Sequence, residues 1–168
     1  MEALIEVATR IGQFLRANKE SVAVAEGACG GLVSAGLIAV PGASNFFVAG
    51  GVLYTRPAFE QILGDRRMAL RGLRGATGPF SLELARIARE QFASTWAIGE
   101  SGASGPTGNR YGDPAGHAAL AVSGPVEKTR IVETGIEDRQ QNMWLFAAAA
   151  LELLEQALVE RDSGLAVE

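Results

Sequence analysis

The chain has 168 residues, of which 48% are hydrophobic and 20% charged, a balance typical of one globular domain with its own core. Its formal net charge is −4, so no basic surplus is available to neutralise a nucleic acid or an anionic membrane, and both partners are disfavoured. A single cysteine, Cys29, and a single histidine, His117, exclude an internal disulfide and the usual zinc ligand sets.

The first residues do not have the pattern of a targeting segment. Residues 1–6 include Glu2 and Glu6, where a secretory signal begins with basic residues. No window of about 18 residues is continuously apolar, so we expect no membrane-spanning helix. Together with the lone cysteine, these features predict a cytoplasmic protein.

The first half of the chain predicts alternating helices and strands. Residues 3–18 carry apolar side chains at helical spacing and predict an amphipathic helix. Residues 21–25 predict a short strand, which ends in an acid and a glycine-rich turn before a helix over 31–40. Residues 46–55 predict the second strand.

Three segments then precede the next strand. Pro57 is well placed to begin a short helix that ends at Gly64. Residues 65–74 predict a short helix that breaks into a loop, and residues 80–94 predict another amphipathic helix.

The remaining segments predict three strands and a long helix. A strand over 95–99 runs into a glycine-rich loop over 100–116, and a loop of this length in a compact domain is more often functional than idle. Strands over 117–123 and 128–134 predict a hairpin, followed by a helix over 138–160 and a frayed tail from Arg161.

This order predicts a single domain over 1–168, with a core of about 3–160. Strands separated by helices require crossover connections and therefore favour a partly parallel sheet. We predict an α/β fold with three α/β/α layers and a mixed sheet. Ligands of such sheets bind where loops leave the carboxyl ends of strands, as the turn 26–31 and the loop after residue 99 do.

The turn after the first strand is the strongest candidate site. A strand that breaks on glycine and restarts as a helix directs the first N–H groups of that helix at one point. Such a point suits an anion or the oxyanion of a reaction intermediate.

The turn Ala25-Glu26-Gly27-Ala28-Cys29-Gly30-Gly31 is the first of several motifs that resemble, in order and over almost the whole chain, those of the CinA C-terminal domain family. The family pattern at this turn is A-E-S-C-T-G-G. V-P-G-A-S matches Val40-Pro41-Gly42-Ala43-Ser44, and G-G-V-x-x-Y resembles Gly50-Gly51-Val52-Leu53-Tyr54 with one residue fewer before the tyrosine. T-G-x-A-G-P is partly kept as Ser101-Gly102-Ala103-Ser104-Gly105-Pro106, and the acid and arginine before the last helix resemble Asp138-Arg139.

The resemblance implies a hydrolase that removes ammonia from the carboxamide of nicotinamide mononucleotide. In that family a serine acts as nucleophile and a lysine is thought to activate it. Here the serine position is Gly27 and the lysine position is Phe59, while the tyrosine remains as Tyr54. Since both members of the pair are replaced, we expect the acyl-enzyme mechanism to be lost.

Two residues are left as candidate catalytic groups, each with an alternative. Cys29 is either a relocated nucleophile, its thiolate favoured by the helix N-terminus, or a small residue packed between strand and helix. Tyr54 is either a pocket wall with a hydroxyl donor or a core tyrosine.

Other residues are candidates for ligand binding. Glu26 is either a base or ribose acceptor, or a carboxylate that caps the next helix. The glycine-rich loop offers backbone N–H groups to a phosphate. The candidate ligand-binding residues are Glu26, Gly27, Gly30, Gly31, Ser101, Gly102, Gly105 and Pro106.

Several further residues have two interpretations. Asn109, Arg110 and Tyr111 either close over a ligand or form a solvated loop tip. Arg66, Arg67, Arg71 and Arg74 either bind phosphate or form a charged outer face, which is the commoner arrangement. His117 is interpreted as a structural residue.

Three functions follow. The first is a nucleotide-type binding domain without amidase chemistry; the second is an enzyme that uses Cys29 or a water activated by Glu26. The third is a structural or assembly protein with a vestigial pocket. We expect a small-molecule ligand such as a pyridine nucleotide, no cofactor or metal, no nucleic-acid or membrane partner, and a homo-oligomer.

Overall fold

The computed structural model describes residues 2–165, in which five strands form one sheet with helices on both faces. The helices are α1 (Glu2–Ala17), α2 (Leu32–Ile38), α3 (Arg56–Leu63), α4 (Gly78–Gln91) and α5 (Arg139–Leu165). The strands are β1 (Val22–Glu26), β2 (Phe47–Val52), β3 (Trp96–Ala103), β4 (His117–Ser123) and β5 (Lys128–Glu133). Two short 3₁₀ helices cover Ala43–Asn45 and Gly64–Leu70.

The strands lie in the order β2-β1-β3-β4-β5. β1 is parallel to both β2 and β3, whereas β4 is antiparallel to β3 and β5. The predicted mixed sheet and the closing hairpin are therefore confirmed.

Side chains along the interior strand β1 alternate between two hydrophobic cores, one on each face of the sheet. Val22 and Val24 point into the core beneath α1, α2 and α5. Ala23 and Ala25 point to the other face, which packs against α3 and α4. Because alanine is small, it allows those helices to approach the sheet closely.

The approach of α4 to β3 is closest at Gly99. A Cβ atom at this position would overlap the carbonyl oxygen of Ser81 and lie 2.7 Å from the backbone nitrogen of Ala85. The helix therefore packs on the strand backbone to backbone, with no room for a side chain.

Helix α5 is the longest element and packs across the sheet. Residues Arg139–Gly164 are long and apolar enough to cross a membrane by length and composition alone, with a mean hydropathy of 1.2 over the most apolar window. Half of that window is buried, and its buried residues contribute to the core beneath β3 and β4. Such burial is typical of the core helix of a globular domain.

The largest differences between the structure and the predicted elements lie in two places, β3 and α5. Residues 100–103 continue β3 instead of opening the loop, because they pair with β4 from Leu120 to His117. Helix α5 continues beyond the predicted end at Glu160: Arg161 lies in the helix, 2.5 Å from Glu20, with its guanidinium 5.2 Å from the centre of the Phe14 ring. Residues 166–168 of the predicted tail lie outside the described residues.

We expect Gly99→Ala to lower the free energy of unfolding by about 2 kcal/mol or more, because overpacking forces α4 away from β3. Gly51→Ala is the matched control, since a Cβ there would lie an ordinary 3.5 Å from Ile62. That control should change stability by no more than about 0.5 kcal/mol. Urea unfolding measures both, and equal effects would contradict the close packing at Gly99.

Candidate functional site

A cavity of about 820 Å³ lies where β1 ends and the chain leaves β2. The turn after β1 and the second half of β3 form its floor: Gly27, Ala28, Glu100, Ser101 and Gly102. This volume falls within the range of about 300–1,000 Å³ that small-molecule sites occupy.

Both apolar and charged residues line the cavity. Its walls include Leu53, Leu70 and the aromatic rings of Tyr54, Phe59, Phe80 and Tyr111. Four arginines, here called the arginine rim, line its margin: Arg56, Arg67, Arg71 and Arg110. The arrangement suits a ligand with a flat apolar part and an anionic group.

Glu26, the last residue of β1, is fully buried and caps α2. Its Oε2 accepts hydrogen bonds from the backbone N–H groups of Gly31 at 3.0 Å and Val33 at 3.1 Å. Its Oε1 accepts from the N–H and hydroxyl of Ser34, at 3.0 and 2.6 Å. The geometry is therefore that of the helix-capping alternative, and Glu26 does not line the cavity.

Glu100 is a buried acid of β3, and only 1% of its surface is exposed. Its Oε2 accepts the backbone N–H groups of Gly27 and Cys29, both at 2.9 Å. Among the described residues, no donor forms a hydrogen bond with its other oxygen, Oε1.

Burial raises the pKa of Glu100 to about 7. The two backbone hydrogen bonds and the Cys29 thiol favour the ionised form and oppose this rise, whereas the charge of Glu26 adds to it. Burial thus outweighs the hydrogen bonds, and the pKa of Glu100 stays above its usual value.

Glu26 and Glu100 accept hydrogen bonds from the N–H groups that we predicted, from the sequence, to bind an anion. Glu100 binds those of Gly27 and Cys29, Glu26 binds those at the start of α2, and the N–H of Gly30 donates to the Gly27 carbonyl. In the structure, then, the turn surrounds carboxylates of the chain itself. The expected attraction for an external anion is correspondingly weakened.

Cys29 is fully buried in the core beneath α2 and α5 and does not line the cavity. Burial raises the pKa of its thiol well above the usual value, and the charges of Glu100 and Glu26 raise it further. The thiol is therefore protonated at neutral pH, which is the packing alternative and not that of an activated nucleophile.

Tyr54 lies in the cavity wall and is 59% exposed. Its hydroxyl oxygen accepts a hydrogen bond of 2.7 Å from Arg139, whose guanidinium lies 5.7 Å from the centre of the tyrosine ring. Arg139 also donates to the carbonyl of Gly105 at 2.8 Å. Gly105 and Pro106 are thereby tied to the wall, although neither lines the cavity.

Ser101 and Gly102 line the floor, but each also has a structural role. The Ser101 hydroxyl accepts the N–H of Ala76 at 3.2 Å. A Cβ at Gly102 would lie 2.5 Å from the His117 carbonyl oxygen, so glycine is required by strand pairing.

Gly30 and Gly31 do not line the cavity, and both adopt positive φ, at 65° and 102°. Here glycine serves the turn that joins β1 to α2. A Cβ at Gly30 would also lie 2.7 Å from Met143 of α5.

His117 is 6% exposed and has a structural position at the start of β4. Its Nδ1 pairs with Glu133, and its Nε2 lies 2.8 Å from the Ala76 carbonyl oxygen. Burial lowers the pKa of His117, but these two partners outweigh it and leave the pKa above its usual value.

The cavity brings together four of the sequence-predicted site residues: Gly27, Tyr54, Ser101 and Gly102. Of the further candidates, it includes Arg67, Arg71 and the loop residues Asn109, Arg110 and Tyr111. Arg66 does not line it, and Arg74 forms a bidentate pair with Asp113.

Sequence reasoning did not identify Glu100 as a site residue. One feature of the sequence could have indicated it: Glu100 lies between a buried strand and a glycine-rich segment. In the sheet, Glu100 follows the β3 residue that pairs with β1 just before Glu26, the acid that ends β1.

Comparisons with known proteins agree on one family. A family model described as the CinA C-terminal domain matches residues 4–158. A CinA-like protein of Desulforapulum autotrophicum is 31% identical over 150 residues, covering 89% of this chain and 36% of that protein. A CinA-like protein of Anaeromyxobacter sp. strain K is 35% identical over 144 residues, covering 86% of this chain and 35% of that protein. The chain thus spans about a third of the length of these curated relatives.

Solved structures give the same result. The crystal structure of a competence-damaged protein (CinA) superfamily member from Escherichia coli matches with a TM-score of 0.82 and 25% identity, over 91% of this chain and 89% of that one. A competence/damage inducible protein from Agrobacterium tumefaciens matches with a TM-score of 0.83 and 25% identity, over 92% and 95%. The family predicted from the motifs is confirmed, and the chain belongs to the CinA C-terminal domain family.

Proposed function

We propose that this chain binds a nucleotide-type small molecule in its cavity and does not carry out the serine–lysine amide hydrolysis that the family resemblance implies. The observation that carries this proposal is the position of Gly27 and Phe59, which both line the same cavity. At the positions of nucleophile and activating lysine, the cavity therefore presents a bare backbone and a phenyl ring.

Phe59 is integrated into the apolar wall. Its ring centre lies 6.2 Å from that of Phe80, in a tilted arrangement, and both rings pack against the core beneath α4. A phenyl ring accepts no proton, so this wall offers no base to a nucleophile on the floor.

A third requirement of acyl transfer, the oxyanion site, is also affected. Acyl-transfer enzymes stabilise the tetrahedral intermediate with N–H groups, which often include that of the nucleophile itself. Here the N–H groups of Gly27 and Cys29 already donate to Glu100. This arrangement supports binding without amide hydrolysis.

The arginine rim and the aromatic walls support a nucleotide as the ligand class. Arg71 forms no ion pair among the described residues, and Arg67 donates only to the Gly64 carbonyl. Both guanidinium groups are thus available to a phosphate, which arginine binds in a bidentate manner. The rings of Tyr54 and Phe59 offer faces to an aromatic base.

The enzymatic alternative from the sequence has less support. It requires Cys29 or Glu26 to face the ligand, and neither lines the cavity. The assembly alternative requires a pocket that binds nothing, and it is tested by the same titration as our proposal.

We expect nicotinamide mononucleotide to bind saturably in calorimetric titration, with no ammonia released above the uncatalysed rate. Arg71→Ala should raise Kd about tenfold, because it removes a charge-assisted contact to phosphate. Arg66→Ala is the matched control, since the neighbouring Arg66 lies outside the cavity. Absence of binding at millimolar ligand would favour the assembly role, and ammonia release abolished by Cys29→Ala or Glu26→Gln would overturn the proposal.

Introducing a serine at position 27 and a lysine at position 59 tests whether their absence explains the proposed loss of amide hydrolysis. A serine fits at position 27, because its Cβ would lie 3.5 Å from the Leu53 carbonyl oxygen. We expect Gly27→Ser with Phe59→Lys to release little ammonia, and the same pair with Glu100→Ala to release measurably more, because the N–H groups are then free. Equal rates in the two variants would contradict the assignment of those N–H groups to the oxyanion site.

We expect the single thiol to be almost unreactive towards Ellman's reagent in the native protein and to react fully in denaturant. The reason is that burial keeps Cys29 protonated and inaccessible. A Cys29→Ala, Ser101→Cys chain moves the thiol to a half-exposed position of the cavity lining and should react faster. Native Cys29 reacting as fast as this variant would show that it is an accessible nucleophile.

A further inference from the structure

The imidazole of His117 lies between two groups that can only accept a hydrogen bond. Its Nδ1 pairs with the carboxylate of Glu133, and its Nε2 lies 2.8 Å from the carbonyl oxygen of Ala76. A neutral imidazole has one N–H group and satisfies only one of these acceptors, whereas the imidazolium donates to both. The arrangement therefore fits the protonated form of His117.

The charged groups around His117 favour the same form. Glu133 faces it from β5, and a carboxylate oxygen of Asp113, in the loop before β4, lies 3.9 Å from Nε2. Arg74 is a nearby cation, and its guanidinium forms the bidentate pair with Asp113. Neither the β3 residues opposite His117 nor the first turn of α4 contains a titratable side chain. Two carboxylates thus stabilise a positive charge on the imidazole.

The protonation of His117 also contributes to stability in a pH-dependent way. Burial lowers its pKa, but the Ala76 carbonyl and the two carboxylates raise it and leave it above the ordinary value of 6.5. Since the folded-state pKa exceeds that of the unfolded chain, the stabilisation is complete below about pH 6.5. It is lost as pH rises through the folded-state pKa.

Ala76 connects His117 to the cavity. This residue is buried, and its φ of 55° is a conformation that residues with a side chain rarely adopt, so surrounding contacts must maintain it. Its N–H donates to the Ser101 hydroxyl at 3.2 Å, and its carbonyl oxygen lies against the imidazole. Ser101 belongs to the floor of the cavity. Ala76 is therefore fixed on one side by the floor and on the other by His117.

Segment 71–76, which ends at Ala76, forms part of the cavity wall. It leads from the second 3₁₀ helix towards α4, and both Gly75 and Arg71 of the arginine rim line the cavity. Gly75 packs so closely on Tyr111 that a Cβ there would lie 2.9 Å from the ring. The position of Ala76 thus affects both the wall and the rim.

We propose that His117 is a positioning residue for the cavity: its imidazolium fixes segment 71–76, and the cavity binds its ligand less tightly when His117 loses its proton. This inference rests on the proposed function, because it requires a small molecule in the cavity. It adds regulation by pH to that function.

Loss of the proton weakens the contact with Ala76 whichever nitrogen keeps its hydrogen. With the hydrogen on Nδ1, the Ala76 carbonyl faces the lone pair of Nε2 and loses its donor. With the hydrogen on Nε2, the bond remains but is no longer charge-assisted, and such a bond is about half as strong. Affinity for the ligand therefore falls as pH rises through the pKa of His117, and bound ligand raises that pKa in return.

The first test needs no ligand. His117 is the only histidine in the chain, so the imidazole signals of an NMR spectrum belong to one known residue. We expect its Cε1–H signal to titrate with a pKa above 6.5, and the amide signals of Gly75 and Ala76 to titrate with it. A His117 pKa at or below 6.5 would overturn the proposal.

Glu133→Gln is the variant that separates protonation from position. A glutamine amide can donate to Nδ1, so a neutral imidazole with its hydrogen on Nε2 then has both ring nitrogens paired. We expect a lower His117 pKa and a contact with Ala76 that changes less with pH. Glu90→Gln, an exposed charge change on α4 outside the cavity, is the matched control and should titrate like the wild type.

Calorimetric titration with nicotinamide mononucleotide measures the effect on the cavity. Between pH 6.5 and 9 we expect the Kd of the wild type and of Glu90→Gln to rise about fivefold more than that of Glu133→Gln. Because the same nucleotide is used for all three chains, its own ionisation cancels in the comparison. Adding the nucleotide should also raise the His117 pKa of the wild type.

The possible failures are distinguishable. If the nucleotide binds but neither the two amide signals nor Kd follows the titration of His117, the positioning role is wrong while the binding function stands. If the nucleotide does not bind to the wild type, the proposed function fails, and this inference fails with it. If Glu133→Gln does not fold, as thermal unfolding would show, the wild-type titrations with and without nucleotide still decide the question.

Discussion

The buried carboxylate of Glu26 is the interaction on which the candidate site depends. Helix α2 has only seven residues, and Gly31 at its start has no side chain to cap it. So short a helix is not stable alone, and three N–H groups and a hydroxyl held by one carboxylate fix it to the end of β1. Gly50 of β2 belongs to the same arrangement, because a Cβ there would overlap the Ser34 hydroxyl. Turn, helix and neighbouring strand are positioned by one buried charge.

A second carboxylate at the same level changes what the turn can do. Glu26 and Glu100 stand on the adjacent parallel strands β1 and β3, and between them they accept five N–H groups of the turn and the start of α2. A helix start that would otherwise attract an anion is thereby neutralised from within. In our proposal the anionic part of a ligand therefore binds at the arginine rim and not at the turn. The backbone fold of the family is kept. The turn, however, is surrounded by carboxylates, whereas a strand–turn–helix site is expected to attract an anion.

The sequence predicted the fold better than it predicted the site. Hydrophobic periodicity is local, so the helices, the strands and the closing hairpin followed from it to within a few residues. Residues 100–103 were missed as strand because their small and polar side chains lack alternation, and only pairing with β4 makes them extended. The roles of Cys29 and Glu100 depend on contacts across the sheet, where a backbone donor at Gly27 meets a carboxylate 73 positions later. For Glu26 the sequence left two alternatives, and the positions of three N–H groups distinguish them. Gly27 and Phe59 were recognised through the family motif, which no composition or spacing argument supplies.

The long helix α5 joins the two ends of the molecule through its terminal arginines. Arg139 holds Tyr54 and the Gly105 loop beside the cavity, and Arg161 pairs with Glu20 at the opposite end of the sheet. About six turns, or roughly 33 Å of helix, separate them. Inserting or deleting a single residue between them would rotate one guanidinium by about 100° away from its partners. The helical phase of α5 is therefore under a geometric constraint that its alanine-rich composition does not reveal: its side chains can vary, but its length between these two arginines cannot.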